Sequence, residues 1–272
     1  REFGFPIDTD FDNNYLGLFP TVNLIYELNE RENITLGYNR RINRPRGWFI
    51  NPFPSRASRT NVFQGNPNLN PAYASAFDVG YLKRWDKLTL TSSVYYQYET
   101  DAFERVQQGT GEVFNGVEII RTIPINLATN QRLGAEMGIL YNPARWLRLN
   151  GSFNFFQFKT EGEFNGIDYG AENNSWFTRF SSKVTLPGQV EWQTNAFYRG
   201  PQENAITETE GIFSLDLAFS KDIFNENATI SFNVRDLLNS RLREQFTTTE
   251  RFTQQSEFQW RERSFTLSMV YR

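Results

Sequence analysis

The feature that most constrains this chain is an alternation of apolar and polar residues at period two, recurring from end to end of its 272 residues. From Leu88 to Tyr98 one set of positions reads Leu88, Leu90, Ser92, Val94, Tyr96 and Tyr98, and the intervening set reads Thr89, Thr91, Ser93, Tyr95 and Gln97. Phe213, Leu215, Leu217 and Phe219 oppose Ser214, Asp216, Ala218 and Ser220 in the same way. Ile230, Phe232 and Val234 oppose Thr229, Ser231, Asn233 and Arg235, and Phe265, Leu267, Met269 and Tyr271 oppose Thr266, Ser268 and Arg272. Successive side chains of a strand point to opposite faces, so the pattern describes strands with one apolar and one polar face.

Eleven such strands are predicted, over residues 18–29, 32–43, 74–86, 87–106, 117–142, 146–160, 174–187, 189–200, 210–221, 227–242 and 257–272. Their connections alternate between short and long. The short ones are Glu30-Arg31, a break near Asp86, Pro143-Ala144-Arg145, Pro187-Gly188 and Asp222 to Glu226; the long ones are 44–73, 107–116, 161–173, 201–209 and 243–256. An up-and-down meander puts all short turns at one end and all long loops at the other, which is the plan of a transmembrane antiparallel β-barrel. A soluble β-sandwich with Greek-key crossings has no reason to sort its loops in this way. About 11 residues at about 3.3 Å rise, tilted near 40°, project to roughly 28 Å, against an apolar band of about 25 Å.

Composition fits either class. Aromatics make up 16% of the chain while mean hydropathy is −0.56, and no run approaches the roughly 18–20 apolar residues of a membrane helix. The polar face carries Glu27, Asp78, Arg84, Arg132, Glu136, Arg148, Arg179, Lys183, Glu191, Asp216 and Arg235, which a wet lumen or plain solvent would accommodate. Tyr26, Tyr81, Trp85, Tyr98, Tyr141, Trp146, Trp176, Tyr198 and Tyr271 fall near segment ends, where membrane barrels carry aromatic girdles. The sorted loops favour the barrel. Eleven antiparallel strands leave the first and last parallel, whereas bacterial single-chain barrels have even strand numbers. Eleven is half of the 22 strands of plugged outer-membrane transporters, so an incomplete barrel is expected.

The chain has no cysteine and no histidine, which removes disulfides, thiolate and imidazole metal sites, and Ser-His or Cys-His catalysis. Carboxylate or Ser-Lys chemistry remains open, but no motif points to it. The expectation is therefore a protein that is not an enzyme and carries no cofactor. With 28 basic against 31 acidic residues the net charge is −3, so nucleic acid is not an expected partner. Arg1-Glu2-Phe3-Gly4 opens without a secretory signal and reads as the middle of a longer polypeptide.

Between residues 40 and 81 the motifs Arg40-Arg41-Ile42-Asn43-Arg44-Pro45, Asn51-Pro52-Phe53, Gly65-Asn66-Pro67-Asn68-Leu69-Asn70-Pro71 and Phe77-Asp78-Val79-Gly80-Tyr81 follow in order. This stretch resembles the barrel region of TonB-dependent outer-membrane receptors, especially the large Bacteroidota-type group. Asn233-Val234-Arg235-Asp236-Leu237-Leu238-Asn239 is similar to the family's penultimate strand, and Leu267-Ser268-Met269-Val270-Tyr271-Arg272 to its last. The resemblance implies that residues 1–272 are the C-terminal part of one outer-membrane barrel domain, without its plug domain and N-terminal segment. It further implies energised uptake of a nutrient such as a ferric siderophore, haem, cobalamin, a glycan or a peptide. The partners implied are outer-membrane lipid and lipopolysaccharide, TonB through the missing N-terminal part, and a surface lipoprotein or other complex subunits. Two departures are plain: Ala72 stands where the family often has Glu, and the usual terminal Phe does not follow Arg272. An alternative role is a receptor-like barrel serving as a structural subunit of an assembly, secretion or nutrient-capture complex.

Two segments are candidate sites. No acidic residue lies between Glu32 and Asp78, while Trp48, Phe49, Phe53, Phe63 and Tyr73 sit among Arg40, Arg41, Arg44, Arg46, Arg56 and Arg59. Arginine forks fit carboxylate or phosphate and aromatic rings offer stacking faces, so Arg44, Arg46, Trp48, Arg56 and Arg59 are candidate ligand-binding residues of an external loop. The duller reading gives the arginines to lipopolysaccharide phosphates or lumenal carboxylates and the rings to loop packing. Asp8, Asp10, Asp12 and Asn14 alternate like the start of a calcium loop, but Asn13 and Phe19 stand where that loop needs Gly and Glu, so no metal site is expected.

Overall fold

A computed structural model describes residues 15–55, 58–127, 129–203, 207–248 and 253–271. Eleven strands form one sheet: β1 (Thr21–Asn29), β2 (Glu32–Asn43), β3 (Ala72–Arg84), β4 (Leu88–Thr100), β5 (Thr129–Ala144), β6 (Leu147–Glu161), β7 (Ala171–Leu186), β8 (Val190–Arg199), β9 (Ile212–Ile223), β10 (Ala228–Arg235) and β11 (Ser264–Tyr271). Each pairs antiparallel with the next in chain order, and β1 and β11 are the two outer edges. The turns at 30–31, 85–87, 145–146, 187–189 and 224–227 share one end of the sheet; the connections 44–71, 101–128, 162–170, 200–211 and 236–263 share the other. The predicted count and the sorting of loops both hold.

Register decides what the two faces are for. Leu24, Leu36, Val79, Val94, Ala135, Phe155 and Trp176 lie directly opposite one another in a row across β1 to β7. Leu24, Leu36, Val79 and Val94 are 60, 48, 52 and 55% exposed. A sandwich would bury such a face against a second sheet, whereas a membrane barrel turns it to lipid. Tyr26, Tyr81, Tyr98, Tyr141, Trp176, Tyr198 and Tyr271 are on this same apolar face. All eleven charged residues assigned to the polar face are on the other one, from Glu27 opposite Asn33 to Arg235 opposite Ser264. Two of them, Lys183 and Glu191, pair across β7 and β8 at 2.6 Å.

Close packing within the polar face has its own logic. Tyr95 of β4 lies across Gly134 of β5, and its hydroxyl donates to Asn154 Oδ1 of β6 at 3.1 Å. A Cβ on Gly134 would collide with the Tyr95 ring, so glycine is what lets one side chain span three strands there.

Several boundaries differ from the expectation. The segment predicted as 87–106 stops at Thr100, and Asp101 turns the chain with φ +54°. The segment predicted as 117–142 is two strands, Val117–Asn126 and Thr129–Ala144, separated at Leu127. The apolar positions keep the same period-two phase on both sides of each break, Tyr98 to Ala102 and Leu127 to Leu133, so the phase gives no sign that the chain changes sheets. The strand predicted as 227–242 ends at Arg235, where Asp236 takes φ +50°, and 257–272 begins its barrel strand only at Ser264.

Candidate functional site

Above the long-loop end the connections fold into their own layers. Phe103–Phe114 and Val117–Asn126 make an antiparallel hairpin, and Asn61–Phe63 runs parallel beside the second of these strands. The short helix Gly47–Ile50 sets Trp48 and Phe49 against Phe63, with ring centroids 5.0 and 6.4 Å away, and Phe49 against Phe103 at 5.9 Å. The Arg105 guanidinium caps this cluster, 5.0 Å from the Trp48 ring, 5.6 Å from Phe49 and 6.0 Å from Phe63.

The motifs of the 40–81 stretch latch this loop down. Gly65 N donates to Asn51 O at 2.9 Å and Asn66 N to Phe49 O at 2.7 Å. A Cβ on Gly65 would lie 2.7 Å from Phe49 O, so only glycine allows the two backbones so close. Asn66 Oδ1 accepts from Asn68 N, and Asn66 Nδ2 donates to Pro124 O of the hairpin at 3.3 Å. Leu69, Pro71 and Ala72 are fully buried beneath.

The opposite face of the hairpin carries a small core of Val106, Ile125 and Leu127, with Ile123, Phe164 and Tyr169 packed on it. Glu104 lies opposite Ile125 on this face. Burial pushes its carboxyl above the ordinary range and the charge of Glu99 adds to the rise, while its hydrogen bond to the Arg105 backbone and the Arg105 charge oppose it. Burial likewise raises the Tyr169 phenol.

The other long connections are tied together as well. Gln202–Glu203, Thr207–Thr209, Arg243–Thr248 and Thr253–Phe258 form a four-stranded sheet from two different loops. At its root the Asp236 carboxylate, 1% exposed, accepts from Ser240 N at 3.0 Å and Arg241 N at 2.9 Å. Asp216 Oδ1 accepts from Asp236 N at 2.7 Å, and the Arg241 guanidinium stands 3.6 Å from Asp216 Oδ2. The Asn233–Asn239 motif is thus the knot that ends β10.

Between this external sheet and the polar face is a recess of about 210 Å³, with Arg132, Phe156, Phe158, Asn173 and Ser175 as its floor and Gln202, Glu203, Thr207 and Thr209 as its roof. Arg132 sits 4.7 Å over the Phe156 ring. Asn173 Nδ2 donates to Glu203 O at 3.3 Å and Ser175 Oγ to Pro201 O at 3.1 Å, so floor and roof are fastened together.

The five candidate residues do not converge on one cavity. Trp48 joins the aromatic cluster; Arg44 and Arg46 are exposed nearby and make no ion pair or side-chain hydrogen bond with other described residues. Arg59 stacks 5.1 Å over Phe114 near the hairpin tip. Arg56, like Asp8, Asp10, Asp12 and Asn14, lies outside the described residues. Arg105, absent from the candidates, is the cation that organises the cluster; its 57-residue separation from Trp48 gave no local signal. Among the described residues no group of three acidic side chains is placed to hold a metal ion, and no helix is long and apolar enough to cross a membrane.

Residues 7–271 match the sequence model described as the outer membrane protein beta-barrel family. The chain belongs to this family. The barrel's place is accordingly the bacterial outer membrane. No curated protein has a matching sequence. Among solved structures, the siderophore receptor PirA from Pseudomonas aeruginosa superposes with a TM-score of 0.63 at 14% identity, over 92% of this chain and 41% of its own. The copper transporter OprC gives 0.61 at 14% identity, over 93% of this chain and 39% of its own. The FrpB iron transporter from Neisseria meningitidis gives 0.58 at 12% identity, over 94% and 39%. At such identities the likeness is one of fold, and the barrel strands here span about two fifths of each of these chains.

Proposed function

We propose that this chain is the C-terminal part of the barrel of a TonB-dependent outer-membrane receptor that imports a scarce nutrient, with its eleven strands supplying half of a 22-stranded wall. The observation that carries the reading is the superposition of nearly the whole chain on part of a siderophore receptor, a copper transporter and an iron transporter. Two features support it. The outer edges β1 and β11 run in the same direction, and open edges call for further strands to pair with them. The long connections fold into ordered layers above the polar face, as loops that capture a ligand outside the cell would. Arg44, Arg46 and Trp48 belong to the 44–71 connection, and Arg44 and Arg46 are exposed there, so these are the residues of the candidate set proposed to meet ligand first.

The test is made on the native polypeptide extracted from outer membranes in detergent. The expected result is a mass more than twice 31.8 kDa and retention on immobilised TonB periplasmic domain. A mass near 31.8 kDa with no retention would overturn the reading.

A further inference from the structure

The recess between the external sheet and the polar face contains one guanidinium, that of Arg132, with no ion-pair partner among the described residues. Arg132 lies opposite Gln97 and Phe158, neither of them acidic, and makes no ion pair or side-chain hydrogen bond with another described residue. Lys183, on the same face, is by contrast paired with Glu191. Phe156 holds the Arg132 guanidinium in place by stacking on its face, and among the described residues its N–H donors have no hydrogen-bond acceptor, which suits the edge of the fork to a planar one.

We infer that this recess is a subsite for a hydroxyl-bearing monocarboxylate, such as a sugar acid, with Arg132 as its carboxylate anchor. Each part of the inference follows from the lining. A guanidinium fork matches a carboxylate with two parallel hydrogen bonds. Glu203 at the rim opposes a second negative charge, which disfavours phosphate dianions against a single carboxylate. Asn173, Gln202 and Thr209 surround the anchor with amide and hydroxyl groups suited to ligand hydroxyls, and Phe158 offers an apolar face to a carbon skeleton. At about 210 Å³ the space is smaller than the roughly 300–1,000 Å³ of whole-ligand pockets, so it takes one ring or its open-chain equivalent.

The subsite rests on the receptor reading for its physiological meaning but not for its test. Saturation-transfer NMR on the native polypeptide in detergent, with no TonB present, compares methyl β-D-glucuronoside, D-gluconate, methyl β-D-glucoside and inorganic phosphate. Binding of the glucuronoside identifies a ring acid of glycan type, and binding of gluconate alone identifies an open-chain acid. In either case the neutral glucoside is expected to bind at least tenfold more weakly. R132Q is expected to weaken the bound acid at least tenfold. R132K keeps the charge but loses the fork, and gives a smaller loss. Heat-modifiable migration on gels confirms that each variant is folded, and Gln202→Ala, on the roof, repeats the test should R132Q fail that check. Binding of neither acid, equal binding of the glucoside, tighter binding of phosphate, or unchanged affinity in R132Q would overturn the inference. A protein that binds the acid yet is not retained by TonB keeps the subsite and loses the transport reading; the opposite pair of results does the reverse.

Discussion

Asn126 and Asn70 exchange two hydrogen bonds of 2.9 Å: Asn70 N donates to Asn126 Oδ1, and Asn126 Nδ2 donates to Asn70 O. The Asn126 side chain thus pairs with the loop backbone as a neighbouring strand would, and the same Nδ2 reaches Asp101 O at 2.6 Å. One amide joins the return of the 44–71 loop to both ends of the hairpin. It sits where the barrel wall gives way to the external layer.

Replacing Asn126 with alanine is expected to release that junction. Three exposed hydrogen bonds, each near the lower end of the net range of about 0.5–1.5 kcal/mol, amount to about 2 kcal/mol of local stability. Limited proteolysis in detergent should then cut within 44–71 and the hairpin, while the barrel strands stay protected. An unchanged cleavage pattern would show that the amide does not hold the layer.

Gly65→Ala tests the latch from the other side. Its Cβ would need Phe49 O to withdraw from 2.7 Å, and the aromatic cluster moves with that backbone. The emission of a Trp48 probe, with the other tryptophans changed to phenylalanine, should shift to longer wavelength relative to the same background with Gly65. Identical spectra would mean that the close approach is dispensable.

Asp236→Ala should destabilise the end of β10 more than either loop change. It removes a fully buried acceptor and leaves two part-buried backbone donors, Ser240 N and Arg241 N, without it, at the lower half of about 1–3 kcal/mol each. The readout is the temperature at which the folded, fast-migrating form is lost on gels. A shift no larger than that of Asn126→Ala would contradict the role assigned to the knot.

Glu104 gives the hairpin a pH dependence of definite sign. Its carboxyl is raised by burial in the folded state, so its contribution is most favourable when protonated, fully present below the unfolded value, and lost as pH rises through the folded value. At neutral pH, Glu104→Gln should therefore increase hydrogen-exchange protection of amides in Phe103–Asn126, and this gain should shrink as pH falls towards the carboxylate range. A loss of protection in Glu104→Gln at neutral pH would reverse the sign and refute the account of Glu104.

The barrel wall was legible in the sequence because lipid on one side and water on the other impose the same alternation on every strand. The eleven charged residues from Glu27 to Arg235 share one face for that reason. The external layer was not legible as structure. The apolar set keeps its phase from Leu88 past Ala102 to Val106, and from Val117 through Leu127 to Leu133, with only single or short polar interruptions, since the hairpin also has one face on a core. The four-stranded sheet pairs Thr207 with Thr247 across 40 residues, and short polar strands such as Thr207–Thr209 carry no apolar pattern. Trp48 was found from local aromatic density, whereas Arg105 and the Arg132 recess depend on strand register that a linear sequence does not display.

The measurement that bears most directly on the two-faced wall is a cysteine scan, for which residues 1–272 contribute no cysteine of their own. Single cysteines at Asp78, Val79, Tyr95, Val94, Glu136 and Ala135 place neighbouring positions of β3, β4 and β5 alternately on the polar and apolar faces. They are treated, in intact outer membranes, with a water-soluble maleimide small enough to enter the lumen. Labelling at Asp78, Tyr95 and Glu136 with protection at Val79, Val94 and Ala135 is the predicted result. Equal labelling of both sets, or labelling of the Val79 face alone, would contradict a barrel wall between lipid and a wet interior.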